Sequence, residues 1–143
     1  MISLPKPPSI NHIYGYTSRG GFARSFITKE GVAWFKNSSQ ILAEHYSWLK
    51  TPIEENVSVQ IELFTARHQD IDNVIKPILD LLAGVCLDCQ GKFTSRKACP
   101  CGHNRSVLEN DKYVTKLEVT KTKVKHVVNE KVNIYLKNVN NMV

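Results

Sequence analysis

Val57-Ser58-Val59-Gln60-Ile61-Glu62-Leu63 alternates apolar and polar residues almost without fault, the period-two pattern of a strand with one buried face. Beyond it, Ile71, Val74, Ile75, Ile78, Leu79 and Leu82 recur at i, i+3, i+4, i+7 and i+8 spacing and predict an amphipathic helix. Pro77 is comfortable only in a first turn, so this helix either begins near Val74 or kinks at the proline. An earlier helix is predicted from the N-cap residue Thr28 to about Lys50, with Trp34, Ile41, Leu42 and Leu49 as its apolar stripe and Pro52 closing it. Met1–Lys6 and Phe22–Thr28 read as short strands, and Gly15 to Gly21 as a flexible loop. Tyr113–Lys121, with Leu117 and Val119 on one face, and Lys131–Lys137 read as two more strands joined by a basic turn. Residues 85–106 break every period. The pattern predicts one α+β domain over residues 1–143: a mixed sheet of four to five strands, two helices packed on it, and a cysteine-rich insertion at 85–106.

Composition adds little to that picture until charge is considered. A chain of 143 residues with 42% hydrophobic and 22% charged residues is globular and long enough to bury a real core. No apolar run approaches the roughly 20 residues of a membrane span, and the first residues show no secretion signal. A cytoplasmic protein is the expectation, nucleoid-associated or of viral or prophage origin. The net charge of +6 favours a polyanionic partner. Lys112, Lys116, Lys121, Lys123, Lys125 and His126 crowd one stretch, while Arg19 and Arg24 sit in a glycine-containing segment. Arg19, Arg24, Arg67, Lys112, Lys123 and Lys125 are the candidate DNA contacts. The competing reading makes such charges solvated strand edges that discourage aggregation.

Asp70-Ile71-Asp72-Asn73-Val74-Ile75-Lys76 carries the candidate chemistry. Extended backbone at Asp70–Asp72 points both carboxylates one way, and a helix from there sets Lys76 one turn beyond Asp72. Either start for the helix leaves these aspartates at its positive end. Two hard oxygen ligands beside a cation suit Mg²⁺-dependent phosphodiester cleavage. A solvated turn followed by an Asp–Lys helix pair is the plain structural alternative. Asp80, four residues past Lys76, reads as its salt-bridge partner, and His68 as a loop or DNA-backbone residue with no carboxylate to orient it.

The four cysteines fall within 16 residues as Cys86-x2-Cys89-x9-Cys99-x-Cys101. In an intracellular chain this clustering points to metal before disulfides, and four thiolates suit tetrahedral, structural Zn²⁺. Cys99-Pro100-Cys101 is tighter than a usual knuckle, which leaves His103 open as a substitute for Cys99 or Cys101. Disulfides are the main competitor.

Four fragments together resemble the RusA-type Holliday junction resolvases. Pro7-Pro8-Ser9-Ile10-Asn11 with Tyr14 is similar to that family's opening, and Thr28-Lys29-Glu30-Gly31-Val32-Ala33-Trp34 to its helix-starting segment. Asp70, Asp72, Asn73, Lys76 and Asp80 match D-x-D-N-x-x-K-x-x-x-D, and Asn110-Asp111-Lys112-Tyr113-Val114 resembles the D-D-x-x-V that opens the next strand. The resemblance implies a homodimeric endonuclease that resolves four-way DNA junctions by paired nicks, using Mg²⁺ or Mn²⁺. On it, Asp70, Asp72 and Asp111 would hold the metal and Lys76 would be the essential lysine. Two departures stand out: Asn110 replaces an acidic residue, and the cysteine insertion is foreign to the familiar bacterial members. A non-catalytic, zinc-stabilised nucleic-acid-binding module is the alternative, and a protein–protein adaptor a third reading. A pure phosphate binder gains nothing from clustered carboxylates, which separates the first reading from the second.

Overall fold

The computed structural model describes residues 1–19 and 21–139, with backbone alone for residues 11, 17–19 and 22–25. Its central strand is the alternating segment, β4 (Val57–Thr65), whose odd-numbered residues are buried and whose even-numbered ones are half-buried. With β1 (Ile2–Leu4), β5 (Val114–Lys123) and β6 (Lys131–Asn138) it forms a four-stranded mixed sheet in the order β1-β6-β4-β5. Strands β1, β6 and β4 are antiparallel neighbours, while β5 runs parallel to β4. The architecture is the expected α+β class.

A parallel neighbour requires a crossover, and α3 (Asp72–Gly84) begins it. Val74, Ile78, Leu81 and Leu82 of α3 join Val59, Ile61 and Leu63 of β4 in a single core. The helix starts two residues before Val74 and carries Pro77 inside it, in its second turn. The proline ring is buried, and its nitrogen cannot donate the hydrogen bond that an amide at this position would give the Asn73 carbonyl.

The second long helix, α2 (Lys29–His45), is capped as expected, with the Thr28 hydroxyl accepting the Gly31 N–H at 3.1 Å. It ends at His45 rather than near Lys50, because Tyr46 leaves the helical region at φ −103°, ψ 28° and its carbonyl accepts the Leu49 N–H in a turn. Its buried stripe is Trp34, Phe35, Ser38, Ser39 and Leu42, whereas Ile41 stays exposed. Gly31 has a packing reason: a Cβ there would sit 2.8 Å from the Ile13 carbonyl oxygen and 2.9 Å from Ile27 Cγ2. The contact locks α2 against the short helix α1 (Ile10–Ile13).

The stretch expected to be a loop between Gly15 and Gly21 is instead largely a strand. β2 (Tyr14–Arg19) pairs antiparallel with β3 (Phe22–Ile27) in a separate two-stranded hairpin. Strand β5 also departs from expectation. It occupies the sheet edge, with only Val114 and Val119 half-buried, and Leu117 lies on the same face as Val119 but exposed. Its lysines line an open strand edge, a common defence against edge-to-edge pairing. Among the described residues, no helix is long and apolar enough to cross a membrane.

Candidate metal centre and adjoining groove

The Sγ atoms of Cys86, Cys89, Cys99 and Cys101 all lie within 4.8 Å of one another. Cys86 and Cys101 are 3.6 Å apart, and Cys99 and Cys101 3.5 Å. Tetrahedral ligands at a Zn–S distance of about 2.3 Å are about 3.8 Å apart, whereas a disulfide needs about 2.05 Å. The four thiols are free and spaced for a metal. This quartet can hold a zinc ion.

The loop's local fold explains the convergence. Cys86 N–H donates to the Gly91 carbonyl and Gln90 N–H to the Cys86 carbonyl, closing a knuckle around the first pair. Gly91 is required by close approach, since a Cβ there would meet Pro100 Cδ at 2.3 Å. In the second half, Asn104 N–H donates to Cys99 Sγ at 3.2 Å, and Asn104 Oδ1 accepts the Cys99 N–H at 2.9 Å. An N–H directed at sulfur supports thiolate character. Burial opposes ionisation of Cys99, yet the Asn104 N–H and three neighbouring thiols bring it down to about 6. Cys101 is pushed up to about 12, its backbone contact from His103 outweighed by burial and by the Cys89, Cys99 and Cys86 thiols.

His103, left open as a ligand by the spacing, is engaged elsewhere. Its Nδ1 lies 3.1 Å from Asp88 Oδ2, and Arg105 holds the other side of that carboxylate at 2.8 Å. The Arg105 guanidinium, foremost, and His103 hold the Asp88 carboxyl below its usual range. Arg105 also donates to the Leu49 carbonyl, tying the loop to the turn that follows α2.

Of the residues predicted for catalysis, Asp72 and Lys76 lie on α3, Asp70 just before it, and Asp111 far along the chain in the 3-10 turn before β5. Strand β4 ends at Thr65, beside Lys123 at the end of β5, so the carboxyl ends of both parallel strands share one end of the sheet. Asp70 stands there, exposed, with His68 Nε2 3.8 Å from its Oδ1. A carboxylate does therefore face His68, contrary to expectation. Arg67 lies in the same loop, Lys123 and Lys125 are exposed nearby, and Lys121 Nζ donates to the Gln69 carbonyl at 3.1 Å. Asp72 opens α3, and Lys76 and Asp80 follow at one-turn intervals, as the sequence spacing implied. Asp111 lies at the opposite end of the sheet, in the 3-10 turn Asp111–Tyr113 that leads into β5 where Val114 pairs with Val57. Lys112, next in that turn, is exposed with its Nζ 5.2 Å from the Tyr113 ring centre.

Asp111 thus meets the far end of α3. Together with Asp80 and Lys92 it lines a groove of about 630 Å³ between α3 and the cysteine loop. Asp70 lines a different groove of about 480 Å³ with His12, Arg67 and His68. Among the described residues, the cysteines are the one group of three or more His, Cys, Asp or Glu side chains that could hold a metal. Asp70, Asp72 and Asp111 of one chain do not fit a single shared Mg²⁺. The side chains of Arg19 and Arg24 lie outside the described residues.

Three further side chains join Lys76, and the first of them was visible in the sequence only as part of a resemblance. The Tyr14 hydroxyl donates to Asp80 Oδ2, Lys76 Nζ lies 3.8 Å from the same oxygen, and Lys76 sits 4.2 Å above the Tyr14 ring. Burial and then the Asp80 carboxylate push the Tyr14 phenol well above its ordinary value, so it remains a donor. The expected Lys76–Asp80 pair is present, and Tyr14 converts it into a three-residue cluster. Lys92, whose ammonium burial holds below its usual pKa against the pull of Asp80, completes the surroundings.

The loop bearing Asp70 is anchored by Glu130. Its Oε2 accepts from Ala66 N–H at 2.9 Å, Thr65 Oγ1 at 3.0 Å and Lys6 Nζ at 3.1 Å. Burial favours the protonated acid, but these three donors outweigh it and the carboxyl sits below the ordinary glutamate value. A carboxylate with a depressed folded pKa contributes stability above the unfolded value of about 4.3, and loses it as pH falls through the lower folded value. The protection of the Ala66 amide, taken relative to its intrinsic exchange rate at each pH, should therefore fall on acidification below about pH 4.3, and Glu130→Gln should remove that dependence. An unchanged pH profile in Glu130→Gln would assign the anchoring to other groups.

No family model matches this chain, and no curated protein is significantly similar to it.

Proposed function

We propose that this chain is a structure-specific endodeoxyribonuclease that resolves four-way DNA junctions, with Mg²⁺ or Mn²⁺ as cofactor and a structural zinc in the cysteine loop. The observation that carries the reading is the face of α3: Asp72, Lys76 and Asp80 at one-turn spacing, with Asp111 brought against the helix end in one groove with Asp80. That order of residue types is the order of the resolvase-like motif, and a phosphate-binding surface alone has no use for the acids.

A catalytic divalent ion would acidify a water and polarise a phosphoryl oxygen. Because three donors do not meet in one chain, the remaining roles rest on the chain's own groups. Lys76, held by Asp80 over the Tyr14 ring, can meet the charge that builds on the phosphate in the transition state. Tyr14 and Asp80 position it. Arg67, Lys123 and Lys125 give the carboxyl ends of β4 and β5 a basic rim for the backbone of a DNA arm.

A four-way junction has two equivalent scissile strands, and a two-fold dimer addresses both with one site per subunit. Sedimentation should return about twice the 16.2 kDa chain mass. The decisive experiment incubates the protein with a synthetic four-way junction and Mg²⁺, alongside Asp72→Asn and Asp111→Asn. Each substitution removes a charge and little volume, so junction binding should persist while nicking collapses. Parental cleavage by Asp72→Asn would remove that residue from the site, and parental cleavage by Asp111→Asn would do the same for the far end of the groove.

The zinc-stabilised binding module stays as the second reading because the carboxylates of one chain lie in two grooves. It expects salt-sensitive DNA binding with no nicking under any divalent ion.

A further inference from the structure

Lys92 belongs to the cysteine insertion, yet its ammonium reaches the α3 cluster. The route is short. Lys92 pairs with Val85 in an isolated antiparallel bridge, Phe93 N–H donates to the Gly84 carbonyl at 3.0 Å, and Cys86 N–H donates to the Gly91 carbonyl at 2.9 Å. The first cysteine knuckle therefore folds the chain back onto the end of α3 and sets Lys92 beside it. Its Nζ lies 4.6 Å above the buried Phe35 ring and 5.9 Å above the Tyr14 ring, which Lys76 covers at 4.2 Å.

Three observations single this lysine out. It is only half exposed, so its charge acts through a medium less polar than water. Among the described residues, its Nζ makes neither a hydrogen bond nor an ion pair, although Asp80 is close enough to act on it electrostatically. Asp80 is already committed to Tyr14 and Lys76. Two ammonium groups around one committed carboxylate leave one cation with its donors unspent, lining the groove that holds Asp80 and Asp111. Aromatic faces hold such a cation in place without neutralising it.

We propose that Lys92 is a second phosphate-contacting cation of the nuclease site, paired with Lys76 around Tyr14, and that the cysteine cluster serves activity by placing it there. The inference rests on the nuclease reading and extends it to a residue outside the resolvase-like motif. Two cations allow both non-bridging oxygens of a scissile phosphodiester to be met, with Lys76 and Lys92 each contributing a charge-assisted hydrogen bond.

The test uses Lys92→Met, Lys92→Arg, Cys89→Ser and the double variant Cys89→Ser/Lys92→Met, with a synthetic four-way junction. Lys92→Met should keep its zinc and its melting temperature while its single-turnover cleavage falls about tenfold or more, the loss expected for one charge-assisted contact. Lys92→Arg should regain most of the rate. In the Cys89→Ser background, Lys92→Met should add nothing, because the knuckle that placed the lysine is already gone. Full cleavage by Lys92→Met, or losses that simply add in the double variant, would overturn the proposal. A readout independent of cleavage separates this idea from the nuclease reading. In reductive methylation followed by mass spectrometry, junction DNA should protect Lys92 in the zinc-loaded protein and not after zinc is chelated. A protein that protects Lys92 but never nicks keeps the phosphate contact and loses the nuclease, whereas Lys92 methylated equally with and without DNA loses the contact whatever the activity.

Discussion

Cys89→Ser should release the zinc and unfold residues 88–104 while the sheet and both long helices stay folded. The expectation follows from where the loop is held. Its two roots are fixed in the core: Leu87 N–H donates to the Arg105 carbonyl at 2.8 Å, Leu108 N–H donates to the Leu82 carbonyl at 2.9 Å, and Val107 and Leu108 are fully buried. Between the roots, at residues 88–104, Cys99 is the one buried residue; the remainder is half-buried or exposed, with many polar and basic side chains. A segment with so little apolar burial gains little to set against its own ordering entropy, and a zinc ion on the four cysteines would supply the difference. Structural zinc is worth about 10–16 kcal/mol in isolated fingers, far more than the Asp88–His103–Arg105 contacts can replace. Elemental analysis should find one zinc per chain in the parent and none in Cys89→Ser. Hydrogen exchange should lose protection across 88–104 and keep it in β4 and α3. Native protein without zinc and with its four thiols oxidised would replace the metal centre with disulfides. Loss of protection throughout the chain would make the cluster part of the main core.

Lys76→Ala should reduce junction cleavage about a hundredfold with little change in junction affinity, the signature of a contact made mainly in the transition state. The surrounding geometry supports a charge held for that purpose. The Asp80 carboxylate and the Tyr14 ring fix the ammonium from two sides while leaving it half exposed. Removing it leaves Asp80 with the Tyr14 hydroxyl, so the fold should survive and the melting temperature should move little. Lys123 and Lys125 make the contrast. Both are exposed, Lys123 at the carboxyl end of β5 and Lys125 just beyond it, and neither has a contact with Tyr14 or Asp80 among the described residues. Lys123→Ala and Lys125→Ala should each weaken binding and lower the salt dependence by about one ion, with bound-state turnover preserved. Single-turnover kinetics at saturating protein, with binding measured separately, distinguishes the two behaviours. Equal effects of all three substitutions on affinity would make Lys76 one more phosphate contact and would remove the main support for a catalytic reading.

Elements whose signal is local were legible without coordinates. The alternation of Val57 to Leu63 specifies a half-buried strand, and the periodic residues from Val74 to Leu82 specify a helix, because each pattern matches a single backbone repeat. The Thr28 cap, the Lys76–Asp80 pair and the four-cysteine cluster depend on residues close in sequence, and they formed where their spacing placed them. The segment from Tyr14 to Arg19 was opaque for the complementary reason. Gly15 near its start and Gly20-Gly21 just after it read as the bounds of a loop, and only pairing with Phe22–Ile27 makes it a strand.

Everything that depends on strand direction was decided by tertiary structure. Local spacing was enough to set Asp70, Asp72, Lys76 and Asp80 at the start and along one face of a helix, and Asp111 just ahead of a strand. It could not determine that this strand lies parallel to β4. A parallel partner must start at the opposite end of the sheet from where its neighbour finishes, and that geometry carries Asp111 away from Asp70 and into a groove with Asp80. The same long-range packing turned Tyr14 and Lys92, 78 positions apart in the chain, into neighbours of Lys76. Side-chain spacing along one element is a covalent property of the chain. Which elements meet, and at which end, is settled only when burial of β4 and α3 in a common core selects one topology from the several that the same local patterns allow.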